Sequence, residues 1–264
     1  MWQFIVPAIA GLASATAVER RARLQRSTNS SGSETNPRTV LANNLERLER
    51  ELRFYQDYWR LAVLGQPGAG KSTLLVKLTQ NGLNPAPLIG IETDATDWSK
   101  DKDLDLIGTW DTWAVVDMPG HGTSTHPTRR LLEGFPFSEM NALVFVVSGK
   151  IRDCDSKAYK AVQRHGVPVF TVRCNSDALY EDEGSGNRDQ VEVQAESDLR
   201  SKLGMDADAP VFFVSNRSGE GIDELKKSLM RERKRWKRAT NRDNSIEPSR
   251  DDPTLSGIIK SMRR

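Results

Sequence analysis

The stretch Gly65-Gln66-Pro67-Gly68-Ala69-Gly70-Lys71-Ser72 limits what this chain can fold into more than any other. An apolar run, Leu61 to Leu64, precedes it, and Thr73-Leu74-Leu75-Val76-Lys77-Leu78 follows with the apolar content of a helix start. Strand, glycine-rich loop and helix at the spacing G-x-x-x-x-G-K-[ST] predict a phosphate-binding loop. Glycines let the backbone wrap closely around an anionic pyrophosphate, and the helix N-terminus aims N–H groups and partial positive charge at it. In such a loop Lys71 reaches the β- and γ-phosphates and the Ser72 hydroxyl ligates Mg²⁺, with Gly65 to Thr73 lining the nucleotide. The expected ligand is a nucleoside triphosphate with Mg²⁺.

At 264 residues the chain is long enough for one sizeable α/β domain with appendages. A formal net charge of +2 singles out no partner, so the distribution of charge matters more than its sum. Cys154 and Cys174 lie far apart with no metal-ligand spacing, and read as reduced thiols of a cytosolic compartment.

Residues 2–18 carry no charge, and the basic block Glu19 to Arg26 follows them. A spanning helix needs about 17 to 20 apolar residues, so this segment is short for an anchor and is interrupted by Pro7. With the basic flank retained inside, residues 1–26 would place the rest of the chain on the cytosolic face of a membrane; the competing reading is an amphipathic or domain-packing helix in a cytoplasmic protein. Residues 27–37 are a polar linker. Over residues 38–59, Leu41, Leu45, Leu48, Leu52 and Tyr55 form a leucine seam near heptad spacing. That seam suits either a short coiled coil in a homodimer or a helix lying on its own domain.

From residue 60 to 232 strand and helix signals alternate. Leu104 to Ile107, Trp113 to Val116, Ala142 to Val147, Val167 to Val172 and Val211 to Ser215 read as strands, with helices over Asp153 to His165 and Ile222 to Met230. Fully apolar strands alternating with helices predict a mainly parallel sheet with helices on both faces. In that architecture ligands sit at the carboxyl ends of strands, and the remaining motifs fall there. Asp117-Met118-Pro119-Gly120 ends one strand; its carboxylate suits the Mg²⁺ shell and its glycine amide a γ-phosphate. Between the two motifs, Thr96 is the preferred metal-ligating hydroxyl of a loop that responds to γ-phosphate, with Thr93 the alternative.

These motifs, in this order, resemble the GTPases. Val172-Arg173-Cys174-Asn175-Ser176-Asp177 stands where such proteins carry N-K-x-D or T-K-x-D, with Asp177 in register as the guanine-selecting carboxylate. Cys174 and Asn175 depart from the pattern, so guanine selection would rest on Asp177. Ser215-Asn216-Arg217 is similar to the loop whose backbone amide meets the guanine O6. Over about residues 60–232 the chain resembles the translation-factor-related class, and within it the interferon-inducible, immunity-related GTPases and their bacterial relatives. The carrying segments are Asp117 to Thr123, Arg129 to Glu133, Val172 to Leu179 and Val211 to Asn216. That family flanks its G domain with a large helical domain, for which this chain has too little sequence. The resemblance implies binding of GTP and GDP, and hydrolysis of GTP with Lys71, Thr96 and His121 in catalytic roles. His121 follows the D-x-P-G glycine, where related GTPases orient the attacking water; the bland alternative is a solvent-exposed loop histidine. Arg129 and Arg130 are candidates only for a role across a dimer.

The last residues, 233–264, read as a basic and largely disordered tail; the last helix continues into its Arg231-to-Arg238 run, which with Trp236 suits an anionic membrane surface or RNA. The expected protein is therefore a slowly hydrolysing GTP switch modulated by self-association or a partner. A non-hydrolysing nucleotide-dependent scaffold and a ribosome- or RNA-associated GTPase are the rivals.

Overall fold

The computed structural model describes residues 36–89, 96–182 and 187–244. Residues 1–35, which hold the segment read as an anchor and most of the linker, lie outside them, as do Thr93 and residues 245–264. Among the described residues no helix is long and apolar enough to cross a membrane.

Seven α-helices and six strands make up the described residues. Helix α1 (Pro37–Leu52) leads through a short 3₁₀ turn into β1 (Trp59–Gly65), and α2 (Lys71–Leu78) follows the glycine-rich loop. A hairpin of β2 (Gly108–Trp110) and β3 (Trp113–Asp117) comes next, then α3 (Thr128–Gly134), β4 (Ala142–Val147) and α4 (Asp153–Gln163). The chain continues through β5 (Val169–Cys174), α5 (Ser176–Asp182), α6 (Arg188–Leu203), β6 (Val211–Val214) and α7 (Ile222–Asn244).

The strands form one sheet in the order β2-β3-β1-β4-β5-β6, parallel throughout except for the β2–β3 hairpin. Strand β1 pairs with β3 on one side and β4 on the other, so the chain leaves its carboxyl end in both directions and opens a crevice there. Alternation along β1 sends Ala62 and Leu64 into one apolar layer and Leu61 and Val63 into the other. Helices α1, α3, α4 and α6 cover the first layer; α2 and α7 cover the second. Buried backbone pairs fully within the sheet, which is why uninterrupted apolar strands are stable here.

Three expectations change. The strand read at Leu104–Ile107 forms three to four residues later, at Gly108–Trp110. Asp111, at a φ of 51°, turns the chain tightly and sets the pairing Trp110↔Trp113, while Leu106 and Ile107 bury their side chains in the core as a loop. The leucine seam is consumed internally: Leu41, Leu45, Leu48 and Leu52 are at most 4% exposed and belong to the first apolar layer. Residues 41–55 therefore do not offer a seam to a second chain. Finally, the last helix, expected to continue into Arg231 to Arg238 before a largely disordered tail, runs on to Asn244. Trp236 packs against the second apolar layer, Arg233 reaches Asp111 at 3.6 Å and the Thr112 hydroxyl, and Arg235 pairs with Glu232 at 3.2 Å. These contacts carry the helix past the point where its composition alone would let it fray.

Candidate functional site: a phosphate loop at the sheet switch point

The glycine-rich loop leaves β1 at Gly65 and closes on the first turn of α2. Gly68 and Gly70 take φ values of 73° and 92°, a region costly to any residue with a Cβ. Lys71 is buried and folds back over the loop, donating to the Gly65 carbonyl at 3.3 Å and the Gln66 carbonyl at 3.0 Å. Ala69 is buried and Thr73 half-buried at the base of α2. The D-x-P-G segment lies directly against this loop: a Cβ on Gly120 would stand 2.4 to 2.6 Å from Pro67.

Ser72 Oγ donates to Asp117 Oδ2 at 2.6 Å, across 45 residues of sequence. The other carboxylate oxygen, Asp117 Oδ1, is buried with no hydrogen-bond partner. Burial pushes the Asp117 carboxyl above its ordinary range, and the Ser72 hydroxyl and the Lys71 charge pull against that shift. A hydroxyl beside a buried, incompletely satisfied carboxylate at the mouth of an anion-binding loop fits Mg²⁺, which takes oxygen ligands and usually shares them with phosphates. Thr96 is half-buried and makes no hydrogen bond to Ser72 or Asp117.

The other pole of the crevice lies beyond β5 and β6. Asp177, in the first turn of α5, has a buried Oδ1 without a partner. Asn175 adopts a φ of 58°, is exposed, and donates to Ser148 Oγ at 2.9 Å. Cys174 is buried, and that burial pushes its thiol up to about 12, so it stays protonated. Ser215 is buried and its hydroxyl accepts the backbone N–H groups of Arg217 at 3.2 Å and Ser218 at 3.0 Å, shaping the loop after β6. Asn216 donates to the Gly70 carbonyl at 3.2 Å, tying this loop to the phosphate loop. No spacing rule identifies that last contact, which crosses 146 residues.

His121 is neither exposed nor turned toward the crevice. Its side chain is fully buried, 3.5 Å from Asp155 Oδ1 and beside Phe145. Burial first, and the Lys71 charge second, push its pKa down to about 4. The solvent-exposed alternative is thereby corrected: the ring follows a backbone that hydrogen-bonds to Gly65 at 3.4 Å and is drawn under the loop. Because the folded value lies below the 6.5 of an unfolded histidine, the unfolded chain binds the extra proton between these values. His121 should therefore cost the fold roughly 3 kcal/mol as pH falls from neutral to below that window. Urea midpoints measured between pH 7.5 and 4, wild type against His121→Asn, check this; the variant should lose the corresponding part of the slope.

Four residues had no sequence signal of their own. Asp155 accepts from the Arg152 amide at 2.8 Å and from the Gln66 side chain, so it both caps α4 and anchors the phosphate loop. Buried Asp97 and His126 meet at 3.3 Å, joining the segment after Thr96 to the one after His121. Asn44 of α1 donates to the Trp98 and Asp101 carbonyls, both at 2.8 Å. None of them belongs to a phosphate-loop motif, because each acts on a segment distant in sequence that only the fold brings close.

Residues 60–175 match the family model described as 50S ribosome-binding GTPase. Over those residues the chain is similar to that family, and its sheet of six mostly parallel strands with a phosphate loop after β1 matches a P-loop GTPase G domain. The chain is 26% identical over 163 residues to interferon-gamma-inducible GTPase 10 of Mus musculus, covering 59% of this chain and 39% of that protein. It is 27% identical over 214 residues to GTPase Der of a Sulfurihydrogenibium species, covering 76% of this chain and 46% of the relative. The chain thus spans less than half the length of either relative. Among solved structures, the FeoB G-domain of Methanococcus jannaschii is similar at 17% identity and a TM-score of 0.43, covering 67% of this chain and 98% of that one.

Proposed function

We propose that the chain is a GTP-binding, slowly hydrolysing molecular switch that works with Mg²⁺. The observation that carries this reading is the Ser72–Asp117 contact at the mouth of the phosphate loop, with Asp117 Oδ1 left buried and unpartnered. In this reading Gly65 to Thr73 cradle the phosphates, and Lys71 exchanges its two loop carbonyls for β- and γ-phosphate oxygens. Ser72 and Asp117 hold the metal, which when bound supplies neutralisation of phosphate charge. Thr96 joins that shell in the triphosphate state, and the Gly120 amide donates to the γ-phosphate. His121 reaches an attacking water only by leaving its place beside Asp155, which supports slow intrinsic turnover. Arg129 and Arg130 are exposed, and Arg129 is paired with Glu133 at 2.7 Å, so any contribution they make would be across a G-domain homodimer.

Asp177 Oδ1 is the acceptor proposed for guanine. Replacing Asp177 with Ala should weaken GTP and GDP by roughly 1.5–3 kcal/mol, the worth of a charged hydrogen bond, while leaving ATP where it was. Competition titrations with the three nucleotides decide the matter; equal losses for GTP and ATP would remove Asp177 from base selection.

Location on the cytosolic face of a membrane rests on the uncharged residues 2–18 and their basic flank. A second reading, association with RNA or the ribosome, is favoured by α7, where four basic residues, Lys226, Lys227, Arg231 and Lys234, outnumber the acidic Asp223 and Glu224 around a shallow depression. Salt-sensitive RNA binding abolished by Lys227→Glu with Arg231→Glu would favour that reading; liposome binding lost with residues 1–26 would favour the membrane.

A further inference from the structure

Beneath the phosphate loop, apart from the Ser72–Asp117 pair, three side chains of metal-ligating type converge. A nitrogen of His121, the Cys154 sulfur and an oxygen of Asp155 all lie within 4.8 Å of one another. Neither ring nitrogen of His121 has a hydrogen-bond partner, nor does Asp155 Oδ1, although these residues are only 1% and 2% exposed. Buried polar atoms of native proteins are rarely left so, and such groups call for a missing partner. The carboxylate is already oriented for one. Its Oδ2 accepts from the Arg152 amide and the Gln66 side chain, which leaves Oδ1 turned toward His121.

We propose that His121, Cys154 and Asp155 form a binding site for a borderline-soft divalent metal ion of the zinc type. One imidazole, one thiolate and one carboxylate are three protein ligands of a tetrahedral site that keeps a fourth position open. Bond lengths for such a set place ligand atoms about 3.5 Å apart, so a modest inward movement of side chains completes the geometry. Thiolate and carboxylate together match the two charges of the ion, and the imidazole binds neutral. The nearby Lys71 charge acts against a cation, and burial first and the Asp155 charge second push the Cys154 thiol up, so the ion itself must displace the thiol proton when it binds. Cys154 is half-buried, which gives the ion a path in from solvent, and its sulfur sits 3.3 Å from where a Cβ on Gly122 would be, beside the His121 backbone. The thiolate separates this site from the Mg²⁺ position, because Mg²⁺ prefers oxygen and an octahedral shell.

The test is titration of the full chain with Co²⁺ in excess Mg²⁺, following absorption. The expected result is one Co²⁺ per chain with a thiolate-to-metal charge-transfer band. Cys154→Ser should abolish the band and weaken Co²⁺ on the order of a hundredfold, while Asp155→Asn, which can still cap α4, should keep the band and weaken binding on the order of tenfold or more. Thermal unfolding of both variants near that of wild type confirms that each is folded. No band in the wild type, a band that survives in Cys154→Ser and so arises elsewhere, or unchanged affinity in Asp155→Asn would overturn the proposal.

Discussion

Lys71→Ala should lower phosphate release from GTP by on the order of a hundredfold or more, the usual result of removing a preorganised charge from a transition state. The structure explains why the loss would be large. Lys71 is buried, held over the loop by the Gly65 and Gln66 carbonyls, and is the cation placed there ahead of any ligand. A lysine already desolvated and oriented meets the phosphates without a reorganisation cost, so its removal takes away a preformed interaction. The fold should survive, because the Gly65 carbonyl keeps the His121 amide as a donor and Gln66 is only half-buried, within reach of water. Single-turnover phosphate release, with circular dichroism as the control for folding, separates the two effects. A drop of less than tenfold would mean that the phosphates do not sit where this loop places them.

Leu48→Ala should destabilise the protein by about 2–5 kcal/mol, the range for a fully buried leucine truncated in a core that relaxes only partly. Leu48 is 0% exposed and sits in the layer that α1 shares with the central sheet. Since whole domains are stable by only about 5–15 kcal/mol, a loss of that size should be plain in the urea midpoint. The same substitution at a coiled-coil seam between two chains would make stability depend on protein concentration. Here the midpoint should shift equally at low and high concentration. That single comparison tells an intramolecular helix from a dimer helix.

The fold was legible in the sequence where periodicity and loop chemistry agreed. Leu61 to Leu64, the glycines after them and the apolar start of α2 each imply the next, so strand, loop and helix could be placed together. Asp117 at a strand end could be matched to Ser72 because the fold returns every parallel strand to the same edge. The reading went wrong where apolar character and strand pairing part company. Leu106 and Ile107 are as buried as strand residues, yet the turn at Asp111 gives the pairing to Gly108–Trp110. The leucine seam fitted two partners equally well, because a helix presents the same stripe to a second chain as to its own sheet. His121 is the sharper case. Its position after Gly120 identified it as a residue of interest, but nothing in the sequence placed Cys154 and Asp155, more than thirty residues on, around its ring. Likewise Asn216 finds Gly70, and Asp97 finds His126, through the tertiary fold alone.

Guanine-nucleotide binding at the phosphate loop is the property from which every proposed role follows. The most direct measurement is titration of fluorescent GTP, GDP and ATP analogues against the full chain in Mg²⁺, with removal of Mg²⁺ as the second arm. The expected result is saturable GTP and GDP binding, with ATP weaker by at least about tenfold, consistent with one charged hydrogen bond to the base, and GTP weakened when Mg²⁺ is chelated. ATP binding as tightly as GTP, or no binding of either triphosphate, would contradict it.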